Sequence, residues 1–347
     1  MFYVWKTSNF FDFGTPVDSL DELYRKTGKR ICIVDNNDID TWKNINRDLV
    51  DKCIMVCSED EDMYIKLKKV KPDDVIIWGS KTRDRIHNPF FFYRLQDLYR
   101  NTTVNNRYSG DIVFNCLLGD VNPQRTYVYY KCLANNMMSK NVITYRPIEE
   151  RALGNHVSSD FLDINIGLLE LIRENNLYYK TYGLPKVITT DLDDDVVRNQ
   201  FNLKEFSYNN RVRGLPFGWY IPKKIFEHTN FGFTVETTTI NKNIFITEKT
   251  IKYIAMGIPF ISIGGQGLLE HLKFLGFKTF SNLFDESYDI EPNIRVKIDK
   301  AIDVLKHKKF TQMEWEEIKK ICDYNKKHYF TTDWSKEIKE YVYEISI

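Results

Sequence analysis

The sequence predicts an α/β protein built on parallel sheets in two similar halves, and three observations carry that expectation. Short apolar runs rich in Val, Ile and aromatics alternate with amphipathic stretches at helical spacing. The alternation restarts after a polar, turn-rich stretch at 101–110, NTTVNNRYSG. At 347 residues the chain also exceeds what one hydrophobic core comfortably serves. Strands alternating with helices are the mark of a parallel sheet of Rossmann type.

In the first half, residues 2–5, 30–34, 53–57 and 75–78 read as buried strands. Leu20, Leu23 and Tyr24 give 18–26 a helical stripe, and Phe90-Phe91-Phe92-Tyr93 makes 88–99 a helix entry. The second half opens with a strand at 111–117, a loop at 119–125, a helix at 126–138 and a strand at 141–145. A helix at 164–174 and a strand at 231–235 follow. The helix 247–256 is stopped by Gly257, with Pro259 leading a strand that ends in Gly264-Gly265. Helices at 268–275, 294–307 and 313–324 close the chain.

Composition excludes several classes. Hydrophobic residues at 43% and charged residues at 28% rule out a disordered chain. A net charge of +1 excludes a uniformly basic nucleic-acid binder, although local basic surfaces remain compatible with it. No apolar run approaches the roughly 20 residues of a membrane span, and the N-terminus lacks a signal peptide's charged and apolar regions. The six cysteines form no C-x-x-C pair and read as reduced thiols of a cytoplasmic protein. The 23 Phe and 21 Tyr leave two readings open, an aromatic core or rings stacked on planar ligands.

The segment 231–265, FGFTVETTTINKNIFITEKTIKYIAMGIPFISIGG, concentrates the chemistry. It is a strand, a loop with an acid at Glu236, a helix opening Thr247-Glu248-Lys249, a strand and a glycine turn. Thr247 can cap the helix. The positive helix end, with Lys249 in its first turn, is suited to a phosphate. Gly264 and Gly265 would let a ligand approach backbone, at the strand ends where such sheets bind ligands. On the bland reading, Glu248 and Lys249 are solvated first-turn residues and the glycines a plain turn.

This segment resembles the donor-binding signature of the GT10 α1,3-fucosyltransferases: an acid after a strand (Glu236), an aromatic before T-E-K (Phe245 to Lys249), a small-residue helix, and Pro259 before the last strand. Residues 111–145 are similar to that family's entry to the donor domain, with Arg125 at the matching arginine. The continuation GQGLLEHL at 265–272, GFKTF at 276–280 and DESYD at 285–289 resembles fucosyltransferase-like enzymes of large bacteriophages. The resemblance covers about 111–145 and 220–289. It implies a GT-B fold, two Rossmann-like domains facing a cleft. The expected bounds are 1–108 for the acceptor side, 109–325 for the nucleotide-sugar domain, and a C-terminal helix in 326–347 returning to the first domain.

By the same resemblance, Arg125 and Lys249 neutralise the donor diphosphate, Glu248 holds ribose or sugar hydroxyls, and Phe245 stacks on the nucleobase. The implied activity is metal-independent, inverting sugar transfer with a nucleoside-diphosphate sugar as co-substrate and no cofactor. The phage likeness implies hydroxymethylcytosine in double-stranded DNA as acceptor, in a host cytoplasm; a glycan is the alternative. Arg211, Arg213, Trp219, Lys223 and Lys224 could grip a DNA backbone or form a solvated loop. A nucleotide- or DNA-binding module without catalysis is the competing class.

An inverting transfer needs a carboxylate base near the acceptor hydroxyl. Asp35, directly after the 30–34 strand, is the first candidate. Asp12, in the aromatic loop NFFDFG, is the second, ahead of Asp38 and Glu59. Asp191, Asp193, Asp194 and Asp195 could hold a divalent metal against a diphosphate, but an acidic turn capping a helix is the preferred reading. The histidines show no metal-ligand spacing. His228 and His271 lie near the signature and read as surface or capping residues.

Overall fold

The computed structural model describes residues 28, 31–35, 52–56, 76–77, 80–82, 85–87, 90–104, 113–118, 122–138, 141–144, 162–175, 211–212, 215–216, 219, 221, 223–237, 239 and 244–336. The chain divides into two compact units, Met1–Arg94 with Thr332–Ile347, and Leu95–Thr331. No described helix is long and apolar enough to cross a membrane.

In the first unit, β1 (Ile31–Asp35), β2 (Lys52–Val56) and β3 (Ile76–Ile77) form a parallel sheet in the order β1-β2-β3. Asp35 does not follow the first strand, as the sequence suggested. It is the strand's last residue, paired with Val56. A short antiparallel pair, β4 (Ser80–Thr82) and β5 (Arg85–His87), follows. Phe92, near the start of α1 (Phe90–Arg100), packs its ring 4.8 Å from that of Trp334.

The second unit is an α/β layer on a four-stranded parallel sheet. Its strands are β6 (Phe114–Leu117), β7 (Val142–Thr144), β10 (Phe231–Val235) and β11 (Phe260–Ile263), in the order β11-β10-β6-β7. Between them in sequence come α2 (Pro123–Ala134), α3 (Leu162–Glu174), the antiparallel pair β8 (Arg211–Val212) and β9 (Leu215–Pro216), and α4 (Lys223–His228). α5 (Glu248–Met256) joins β10 to β11. α6 (Leu268–Phe274), α7 (Ile294–His307) and α8 (Gln312–Thr331) complete the unit.

Every residue of β10 and β11 is buried, which explains their continuous apolar runs. Among the described residues the aromatic rings are mostly buried. Phe231, Phe280, Phe284 and Phe310 cluster with ring centroids about 6 Å apart, and Trp315 closes on Phe310 at 4.9 Å. Cys116, Cys132 and Cys322 are buried.

Two helices depart from expectation for local reasons. α2 begins at Pro123, three residues before the predicted start, because Asn122 caps it and proline suits the first helical position. Arg125 therefore stands in a helical first turn and not in a loop. α8 runs to Thr331, beyond the predicted end at 324, its buried residues Trp315, Ile318, Ile321, Cys322, Asn325 and Tyr329 continuing at helical spacing.

Candidate functional site

The strand order reverses between β6 and β10. The chain moves outward from β6 to β7, then returns to place β10 on the other side of β6 and β11 beyond it. In an open parallel sheet the crevice beyond the carboxyl ends of the strands at such a reversal is where ligands bind.

Three segments meet at that edge. α2 contributes its first turn: the Asn122 side chain accepts from Arg125 N at 2.9 Å. Gln124 Nε2 donates to Thr237 O at 3.3 Å, and Arg125 Nη2 to Val235 O at 3.4 Å. The turn after β10 contributes residues 235–237. α5 contributes Thr247, Glu248 and Lys249, and Lys249 Nζ reaches the same turn through Thr237 Oγ1 at 3.4 Å. Arg125 is only 5% exposed, a buried cation and not the surface charge its loop placement suggested.

Glu236 has a different role from a ligand-facing acid. It is 0% exposed, and its carboxylate accepts from Thr247 N at 3.2 Å, Thr247 Oγ1 at 2.5 Å, Thr250 N at 3.3 Å and Thr250 Oγ1 at 2.6 Å. Thr247 is the N-cap of α5, its side chain accepting from Lys249 N at 3.4 Å. The backbone donors of Thr247, Lys249 and Thr250 at the start of α5, expected to await a phosphate, thus already have partners from the chain. A buried helix end must satisfy these groups somewhere, and a carboxylate there also meets the helix dipole. Behind Glu236 runs a buried hydroxyl chain: Thr250 Oγ1 lies 2.8 Å from Ser262 Oγ, and Thr234 Oγ1 donates to Ser262 Oγ at 2.9 Å.

Lys249 Nζ contacts Thr237 Oγ1, Thr247 Oγ1 at 3.2 Å and Glu248 Oε1 at 3.1 Å. Burial pulls the Glu248 carboxyl up, but Lys249 and Lys252 outweigh it and hold it below its usual value. On the neighbouring face, burial pushes the Tyr99 hydroxyl far up and the Glu248 charge adds to the shift. Tyr99 OH donates to Trp219 O at 2.6 Å.

At the β11 end, Gly264 does not leave open space. A Cβ there would collide with the Leu268 side chain of α6, so the missing side chain admits that leucine. Gly265 O accepts from Leu268 N at 3.1 Å, closing the turn. Lys297, buried on α7, donates to Gly264 O at 3.0 Å; burial lowers its pKa to about 8, against the opposing pull of Asp289 and Glu291. The Asp289 carboxylate accepts from Leu269 N at 3.0 Å, so the start of α6 also receives a carboxylate of the chain.

The structure thus brings Arg125, Glu236, Thr247, Glu248, Lys249, Gly264 and Gly265 to one sheet edge. Phe245 is 4% exposed, its ring covered and not presented for stacking. Trp219, at 8%, is likewise buried. His271 is buried in α6, its ring stacked on Phe274. Asp35 lies in the first unit's sheet. Asp12, Asp38, Glu59, Arg213 and the acidic run at 191–195 lie outside the described residues. Among the described residues no group of three or more His, Cys, Asp or Glu could hold a metal ion.

Sequence reasoning missed Gln124, Lys252, Asp289 and Lys297. A signal existed for the two lysines. Lys297 falls on the apolar stripe of Ile294, Ile298, Ala301 and Ile302, and Lys252 lies between Ile251 and Tyr253 in a helix buried all round. A lysine in such a position is rarely buried without a reason. Compared with protein-family models, with curated proteins and with solved structures, the chain finds no match.

Proposed function

We propose that the chain is a glycosyltransferase that moves a sugar from a nucleoside-diphosphate sugar to an acceptor hydroxyl, with the donor at the β11-β10-β6-β7 edge of a GT-B pair of domains. One observation carries the reading. Arg125 and Lys249 come from different helices yet reach the same turn, 235–237, beside the reversal of strand order. Two cations held by one turn suit the charge that develops on a departing diphosphate. In this reading they act without a metal, and the attacking hydroxyl is deprotonated by a carboxylate, Asp35 first and Asp12 second.

The acceptor we propose is hydroxymethylcytosine in duplex DNA, with a glycan hydroxyl as the alternative. A second reading, a nucleotide- or DNA-binding module without catalysis, draws on the start of α5, whose donors the chain itself satisfies.

The test is a thermal-shift panel of UDP, GDP, CMP and their sugars, since a bound donor stabilises the fold by mass action. Transfer to hydroxymethylcytosine DNA, unmodified DNA and glycans is then assayed with and without EDTA. The expected outcome is stabilisation by one nucleotide family and labelling of the hydroxymethylated DNA that survives EDTA. Arg125→Lys, which keeps the charge but loses the planar fork, should weaken the stabilising nucleotide by about 1.5–3 kcal/mol. Stabilisation without transfer to any acceptor selects the binding-module reading. No stabilisation by any nucleotide overturns the transferase and the nucleotide-binding module alike.

A further inference from the structure

An ammonium group has three N–H donors and no acceptor. Buried without an acceptor, it costs free energy that an arriving anion recovers. α5 carries two lysines near the candidate edge, and they differ in this respect. Lys249 has three oxygen partners within the chain, Thr237 Oγ1, Thr247 Oγ1 and Glu248 Oε1. Lys252 is 7% exposed, and its ammonium has no hydrogen bond to any described residue. It lies three residues beyond Lys249 and four beyond Glu248, on the same helical face. Its Nζ is not among the fully sealed polar atoms that lack a partner, so the ammonium can be met without unfolding the helix.

We propose that Lys252 is a phosphoryl-binding residue whose ammonium receives a phosphate oxygen of the nucleoside diphosphate, beside Glu248 and Lys249. The inference rests on the nucleoside-diphosphate reading given above. It accounts for an expensive feature, a lysine held in a helix whose other residues from Thr250 to Met256 are all buried. Burial lowers its pKa to about 8, Lys249 deepens the shift and Glu248 opposes it; a bound phosphate would add an opposing negative charge. The competing account is a side chain that merely extends its charged end to water.

Isothermal titration separates the two, with inorganic pyrophosphate, UDP and GDP as probes. Lys252→Met keeps the length and removes the charge. It should weaken pyrophosphate and the preferred nucleotide by about tenfold or more, with a melting temperature equal to or above wild type. Lys252→Arg should restore most of the affinity, and Lys320→Met, on the exposed face of α8, should change nothing. Lys252→Gln replaces the Met variant if that does not fold. Wild-type affinity in the charge-removed variant overturns this inference and leaves the donor reading standing. Failure of the wild-type protein to bind any of the three probes overturns both.

Discussion

At the scale of a residue, Glu236 does the most to fix the candidate edge. Its two oxygens take four donors from Thr247 and Thr250, 11 and 14 residues further along the chain. Hydrogen bonds to a charged group contribute about 1.5–3 kcal/mol each in favourable cases, and buried donors left without a partner are penalised in full. Glu236→Gln retains the shape but turns an amide NH2 toward donors. We expect a loss of about 2–4 kcal/mol in urea denaturation. A loss below about 0.5 kcal/mol, the scale of an ordinary surface substitution, would show that the carboxylate is not the anchor. The acid itself was legible in the sequence as a residue following a strand. Its burial was not, because that depends on two threonines whose spacing from it has meaning only after α5 folds back on β10.

At the scale of an element, α5 lies close against β10 because Gly232 has no side chain. A Cβ there would meet the Tyr253 ring, which stacks on Phe226 at 5.1 Å and whose hydroxyl donates to Asn115 Oδ1 on β6. Gly232→Ala should therefore displace the helix and cost about 1–3 kcal/mol, as overpacked cores do. Adding Tyr253→Leu should return part of that loss, and a double-mutant cycle reads the coupling. Full additivity in the cycle would refute the contact. Elements with a local start and stop were legible. β10 and α7 have the predicted bounds, and α5 begins after the Thr247 cap and stops at Gly257 with φ 68°. The start of α2 was misread because Asn122 and Pro123 serve equally as loop residues and as a helix entry. No local signal marks which of the two a strand end will place there.

At the scale of the whole molecule, the second unit's sheet consists of two β-α-β halves. β6-α2-β7 closes over about 27 residues and β10-α5-β11 over about 28, judged by the bonds from Phe114 to Asn141 and from Thr234 to Ser262. What joins them spans 117 residues: Val113 N donates to Asn230 Oδ1 at 2.7 Å, and Asn115 Nδ2 to Thr229 Oγ1 at 2.9 Å. This pattern of pairing was not visible in the sequence, since strand order follows from packing across long separations and not from periodicity.

That seam has a kinetic consequence. Two doublings of loop length add only about 1 kcal/mol to closure, so the finished fold carries little penalty. The rate is another matter, because long-range pairing must be found before its contacts contribute. Asn230→Ala is expected to slow refolding more than it speeds unfolding, measured by stopped-flow fluorescence across a denaturant series. The opposite split would place the seam after the barrier. Arg125 stands in one half and Lys249 in the other, so a chain halted with both halves formed and the seam open would hold every helix and strand of the candidate edge without bringing these two cations to one turn.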